Sequence, residues 1–183
     1  VRGEWQVSET GVEITVHWQE SPFTVHLGLL GQHNVMNALA AAAAAFAVQC
    51  DREDVVRGLS GVKPAPGRLE FHQTNCGTRI IDDSYNANPR SVKAAVDAMA
   101  LQPGPHWLVM GEMAELGDVS DASHRAIGTY AKSHGVKRLL TLGGQTAHTC
   151  DTFGAGAQNF LSFESMLEEL NRSFRSAGTI LVK

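Results

Sequence analysis

The chain has 183 residues, 43% of them hydrophobic, with 15 Lys and Arg against 19 Asp and Glu for a formal net charge of −4. That is enough for one large or two small folded domains, and the absence of any basic run excludes the electrostatic footprint of a nucleic-acid binder. The longest apolar run, Ala38 to Val48, is well short of the roughly 20 residues a membrane helix needs, so no membrane insertion is expected.

Three cysteines, Cys50, Cys76 and Cys150, are odd in number and form no C-x-x-C pair, which favours free thiols in a reducing cytoplasm over a disulfide framework or structural zinc. The chain starts at Val1 in strand-like sequence, without a signal-peptide layout, and stops inside the apolar run Thr179 to Lys183, as expected of a piece of a longer protein. Val12, Ile14, Val16 and Trp18 alternate with polar residues, as do Phe23, Val25, Leu27 and Leu29. Both runs read as antiparallel strands with one wet face. The alanine-rich stretch Leu39 to Val48 predicts a helix, and Arg52 to Leu59 a second one capped by Asp51. After the stiff loop Lys63-Pro-Ala-Pro-Gly67, Leu69 to Gln73 and Thr78 to Asp82 flank Asn75-Cys76-Gly77 as a hairpin.

Asn88 followed by Pro89, with Val92, Ala95, Val96 and Met99 at helical spacing, predicts a capped helix ending near Leu101. Gln102-Pro-Gly-Pro105 can continue neither a helix nor a central strand, and it places a domain junction between residues 1–102 and 106–183. Beyond it, strands at Trp107 to Met110, Arg138 to Leu142 and Thr179 to Val182 alternate with helices, one of them Phe163 to Phe174 capped by Ser162. The alternation predicts a parallel sheet in a small Rossmann-like α/β domain.

Generic catalytic motifs are missing. There is no G-x-x-x-x-G-K-S/T phosphate loop and no G-x-S-x-G elbow, and Gly111-Glu-Met-Ala-Glu-Leu-Gly117 is not G-x-G-x-x-G. His17 and His26 share a wet face, but two imidazoles without a third ligand make a poor zinc site, and no metal site is assigned. What remains is an ordered set of polar segments at element ends. These are Gly31 to Asn37 before the alanine helix, Gly67-Arg68 before a strand, Asp82-Asp-Ser-Tyr-Asn-Ala-Asn-Pro89 after a strand, and Gly111 to Gly117 after another. Ligands of open α/β sheets bind outside the carboxyl ends of strands, where the last two fall.

In this order the segments resemble the Mur ligase family of peptidoglycan synthesis over essentially all 183 residues. DDSYNANP followed by GEMAELG is most similar to the branch that adds D-alanyl-D-alanine to UDP-N-acetylmuramoyl-tripeptide. The resemblance implies an α/β architecture in which the later part of a central ATP-binding domain is followed by the Rossmann-like C-terminal domain. It also implies an ATP-dependent ligase acting through an acyl phosphate. By resemblance, Asn34 and Asn37 meet the adenine, Arg68 contacts the terminal phosphate as the catalytic cation, and Asp83 accepts from the ribose hydroxyls. Tyr85, Asn86 and Asn88 line the nucleotide, with Asn88 also a helix cap, while Glu115 and His124 belong to a loop facing the acceptor substrate.

Helix capping competes with the adenine role at Asn34, a surface ion pair with the phosphate role at Arg68, and solvation with any role for Glu112 and Asp118. The resemblance further implies that the phosphate loop and most magnesium ligands precede Val1, so ATP and Mg2+ are expected cofactors of the parent while this piece is expected to be inactive. A ligase joining glutamate to folate and a non-catalytic nucleotide-binding module remain the alternatives.

Overall fold

Alternating apolar residues draw the first strands together. In the computed structural model, which describes residues 1–8, 11–19 and 21–183, β1 (Arg2–Ser8) and β3 (Phe23–Leu27) pair antiparallel with either side of β2 (Gly11–His17). Val12, Ile14, Val16, Val25 and Leu27 lose essentially all contact with water, each burial being worth about 1.5–3 kcal/mol. Helix α1 (Gln32–Ala47) comes close to β1 at Gly3, where the strand has no side chain. A Cβ added at Gly3 of β1 would stand 2.8 Å from the Leu39 side chain. Helix α2 (Arg52–Ser60) starts where Asp51 accepts from the backbone N–H of Asp54 at 2.8 Å, as expected.

α1 begins seven residues earlier than Leu39, so Gly31 to Asn37 forms its first turns instead of a preceding loop. Gly31, at φ 97°, is the N-cap and contributes no side chain.

The chain divides into two compact units, Val1–Ala65 and Pro66–Lys183. The junction expected at Gln102–Pro105 is therefore misplaced. That segment ends α3 (Pro89–Ala100) and opens β6 (His106–Met110) inside the second unit, with Gly104–Pro105 a cis peptide. It is also bonded to the last strand, β9 (Thr179–Val182): Gly178 and Thr179 donate their N–H groups to the Pro105 carbonyl, and the Thr179 hydroxyl donates to the Pro103 carbonyl at 2.7 Å. Of two proline-rich segments the chain breaks at Pro64-Ala-Pro66, which reads equally well as a linker.

The second unit completes the α/β expectation with more chain than foreseen. The hairpin β4 (Glu70–Gln73) and β5 (Arg79–Asp82) joins β6, β7 (Val136–Leu142), β8 (Ala157–Phe160) and β9 in one sheet of order β4-β5-β9-β6-β7-β8, parallel except for β4. Helices α4 (Ser120–Ser133), α5 (Ala147–Phe153) and α6 (Phe163–Ser173) link the strands. Ile81, Leu108, Leu139 and Leu181 are fully buried on one face of this sheet, and Leu140 is equally dry on the other face with Trp107, Val109 and Ile180. Only β8 escaped the sequence, because a short edge strand reading Ala-Gln-Asn-Phe carries neither branched residues nor alternation.

Asn88 caps α3 with a reciprocal box. Its Oδ1 accepts from the Ser91 N–H at 2.9 Å, and the Ser91 hydroxyl accepts from the Asn88 N–H at 3.1 Å. Asn88→Ala is expected to cost about 1 kcal/mol, seen as a thermal midpoint lower by a few degrees. An unchanged midpoint would remove the cap from the stability of this unit.

Candidate functional site

The carboxyl end of β5 delivers Asp83 into a nearly dry position. Its side chain is 13% exposed and pairs through Oδ2 with the ammonium of Lys183, which is 3% exposed, while Oδ1 accepts from the Leu69 N–H at 3.1 Å. Two bonds to the carboxylate offset the cost of taking a charge out of water. Two residues on, the Tyr85 N–H donates to the Gly67 carbonyl at 3.1 Å. Gly67 is buried at φ 69°, and a Cβ there would stand 3.1 Å from the Tyr85 nitrogen, so only glycine fits without displacement.

Leu69, also buried, takes φ 51°, unusual for a branched side chain and maintained by these neighbours. Held between the two bonded residues is Arg68, exposed, with its guanidinium carbon 4.2 Å from the centroid of the Tyr85 ring. Such stacking fixes the direction of a planar cation and leaves its edge donors for an anionic ligand.

Four of the expected residues, Arg68, Asp83, Tyr85 and Asn86, thus meet on one pair of loops, with Asn88 at the start of α3. Asp83 differs from expectation in that both carboxylate oxygens already have protein partners. Its first task is to hold the turn before β4, and a ribose hydroxyl would have to share an oxygen. Asn86 accepts from the adjacent Ala87 N–H at 2.8 Å, and Tyr85 is 67% exposed.

Asn34 and Asn37 belong to α1 in the first unit. The Asn34 amide donates back to the Leu30 carbonyl at 2.8 Å, so it does not cap the helix, and Asn37 is exposed.

In the loop after β6, Glu112 and Asp118 are exposed, as expected of a solvated acidic turn, while the histidine behind the loop is not. His124 is fully buried, Nε2 accepting from the Met113 N–H at 3.2 Å and Nδ1 donating to the Ser120 carbonyl at 2.9 Å, so it secures the loop and does not face a substrate. Glu112 accepts from the Gln145 N–H at 2.8 Å and thereby ties this loop to the one after β7. That second loop is stiffened by Asn159, whose amide donates to Thr141, Gly143 and Thr146. Glu115 is exposed at φ 61°. Sequence reasoning gave no role to Lys183, Leu69 or Gln145. For Lys183 the signal was a single lysine directly after the apolar run Ile180-Leu-Val182.

Among the described residues a single group of metal-type donors converges: Glu70, His72 and Asp82 place one ligand atom each within 4.8 Å of one another. An imidazole suits a borderline metal rather than Mg2+, which prefers oxygen ligands in near-octahedral array. Asp83 has no uncommitted oxygen. The loops therefore do not fit a magnesium site, and no step is derived through one. An open apolar cleft of about 190 Å³ between α1 and α2, lined by Ala42, Val55 and Leu59 among others, offers packing surface without chemistry.

In the β4–β5 turn, hydrogen bonds from the Thr74 hydroxyl and then from Thr78 lower the Cys76 thiol to about 7, whereas burial raises Cys150. Alkylation of Cys76 by iodoacetamide is expected to climb with pH through a midpoint of about 7 and to outrun Cys150 at neutral pH. Site-resolved mass spectrometry with equal rates at pH 7 would contradict this.

The family described as Mur ligase, glutamate ligase domain, matches residues 67–183, and the Mur ligase middle domain matches residues 2–45. The first match begins at the division between the two compact units. The UDP-N-acetylmuramoyl-tripeptide–D-alanyl-D-alanine ligase of Escherichia coli K12 is 38% identical over 179 residues, covering 97% of this chain and 39% of that protein. Its Bacillus subtilis 168 counterpart is 40% identical over 138 residues, covering 74% and 30%. A crystal structure of MurF from Acinetobacter baumannii aligns with a TM-score of 0.88 at 29% identity, over 98% of this chain and 40% of that one. The chain thus spans about two fifths of the E. coli and Acinetobacter proteins' length. Matched from Gly67 through Lys183 by one domain of the family and over much of its first unit by another, this chain belongs to the Mur ligase family.

Proposed function

We propose that the chain is the later part of an ATP-dependent ligase that joins D-alanyl-D-alanine to UDP-N-acetylmuramoyl-tripeptide in the cytoplasm. The observation that carries the reading is Arg68, an exposed cation on a turn fixed from two sides and stacked on Tyr85, at the carboxyl edge of a parallel sheet. The 38% identity to the E. coli ligase supports the choice of substrates. Among the described residues no helix is long and apolar enough to cross a membrane, and the net charge of −4 does not suit a nucleic-acid partner.

In this chemistry a carboxylate oxygen of the tripeptide attacks the γ-phosphorus of ATP and ADP leaves. The dipeptide amine then attacks the acyl carbon, inorganic phosphate leaves, and the nitrogen loses a proton. Positioning and neutralising phosphate charge account for most of the catalysis. Arg68 neutralises the transferring phosphoryl group, Tyr85 holds the guanidinium plane and Asp83 holds the turn. Asn37, with an uncommitted amide, takes the adenine, and Asn34 orients the same helix turn. Asn86 lines the nucleotide, Asn88 keeps α3 in place, and the loop secured by His124 presents Glu115 towards the acceptor. ATP is the proposed phosphoryl donor, and Mg2+ is the metal this chemistry requires.

The test is to express the complete reading frame that contains this chain and measure phosphate release with ATP and Mg2+. Release requiring both the tripeptide nucleotide and D-alanyl-D-alanine is the expected result, with none for the 183-residue chain alone, which has no phosphate loop. Turnover with folate and glutamate in place of the peptide pair would overturn the reading. So would nucleotide binding without turnover on either pair.

A further inference from the structure

We propose that Lys183 is a positioning residue for Arg68, acting through Asp83 and the turn from Gly67 to Leu69. Lys183 has no freedom to act elsewhere: its N–H donates to the Val109 carbonyl at 2.8 Å and its carbonyl accepts from the Gly111 N–H at 2.9 Å, which seats it between β5 and β6 at the centre of the sheet's carboxyl edge. Its ammonium, 3% exposed, pairs with Asp83 Oδ2. With Oδ2 held there, Oδ1 faces the Leu69 N–H, and that bond keeps Leu69 in a left-handed conformation it would not otherwise favour. Arg68 lies between this bond and the one from Tyr85 to Gly67, so its stacking over Tyr85 depends on both.

Without the ammonium, a carboxylate 13% exposed would be buried with a single partner, and it would turn towards water and release Leu69. The lysine thus sets the direction of a cation it does not touch.

The kinetic arm of the test rests on the ligase reading, and the spectroscopic arm does not. In the 183-residue chain, Lys183→Met is expected to speed hydrogen exchange at the Leu69 amide by about tenfold or more. It should also abolish the ring-current shift that Tyr85 imposes on the Arg68 side-chain protons. Pairing it with Asp83→Asn, which keeps an acceptor for Leu69 and leaves no charge unpaired, should restore both signals and protects the test against a single variant that fails to fold. Unchanged signals in Lys183→Met, or no recovery in the pair, would overturn the proposal.

In the complete enzyme, Lys183→Met should lower kcat/KM by about tenfold or more, but by less than about twofold once Arg68 is Ala, because the two act as one unit. Fully additive losses would mean that Lys183 acts independently of Arg68 and would also overturn it. Absence of ligase turnover in the unmodified enzyme would count against the ligase reading alone, the clamp then being decided by the spectra.

Discussion

Arg68→Ala in the complete ligase is expected to lower kcat by about a thousandfold, the usual consequence of removing a fixed donor from a transferring phosphoryl group. Arg68 is exposed and its loss opens no cavity, so folding and the thermal midpoint should hardly change. Lysine in its place should recover little. An ammonium presents no planar fork and stacks poorly on Tyr85, so it would reach the phosphate as a mobile point charge instead of an oriented pair of donors. Steady-state phosphate release with saturating acceptor measures the effect. A loss below about tenfold, or full recovery by lysine, would leave Arg68 as surface charge.

Asp83→Ala should act first on stability. Removing one partner of a buried ion pair leaves the other charge uncompensated, at a cost of about 3–5 kcal/mol, and here Lys183 at 3% exposure would be the stranded group. Urea unfolding of the 183-residue chain should show the loss in the second unit, and Asp83→Asn with Lys183→Met should regain most of it. A loop carboxylate serving only ribose hydroxyls would leave unfolding unchanged, so a difference under about 1 kcal/mol would favour that simpler role.

How far the sequence could be read follows from the range of the interactions involved. Strand β2, helix α2 and the cap of α3 were legible because alternation, Asp51 and Asn88-Pro89 act over a few residues. The motif strings Gly67-Arg68 and DDSYNANP are equally local, and the structure brings them together on one pair of loops. What stayed hidden depends on residues far apart in the chain. Nothing near Asp83 announces that Lys183, 100 residues later, will occupy its carboxylate, nor that the Gln102–Pro105 segment will be bonded to β9 and so lie inside the second unit. His124 carries the same lesson. An imidazole in a polar motif looks like chemistry until packing shows both nitrogens bonded to the main chain of its own loop and helix.

The place of β9 between β5 and β6 also bears on how the protein is made. Of the six strands described in this sheet, the one in the middle is synthesised after the other five, so β5 waits some 100 residues, on the order of 5–20 s of translation, for its neighbour. During that interval the hairpin β4–β5 presents an open strand edge rich in Ile80 and Ile81, a surface prone to pairing with other chains. Closing the sheet means joining segments distant in sequence, which makes this unit a slow folder among domains of its size and a natural client for whatever shields nascent chains.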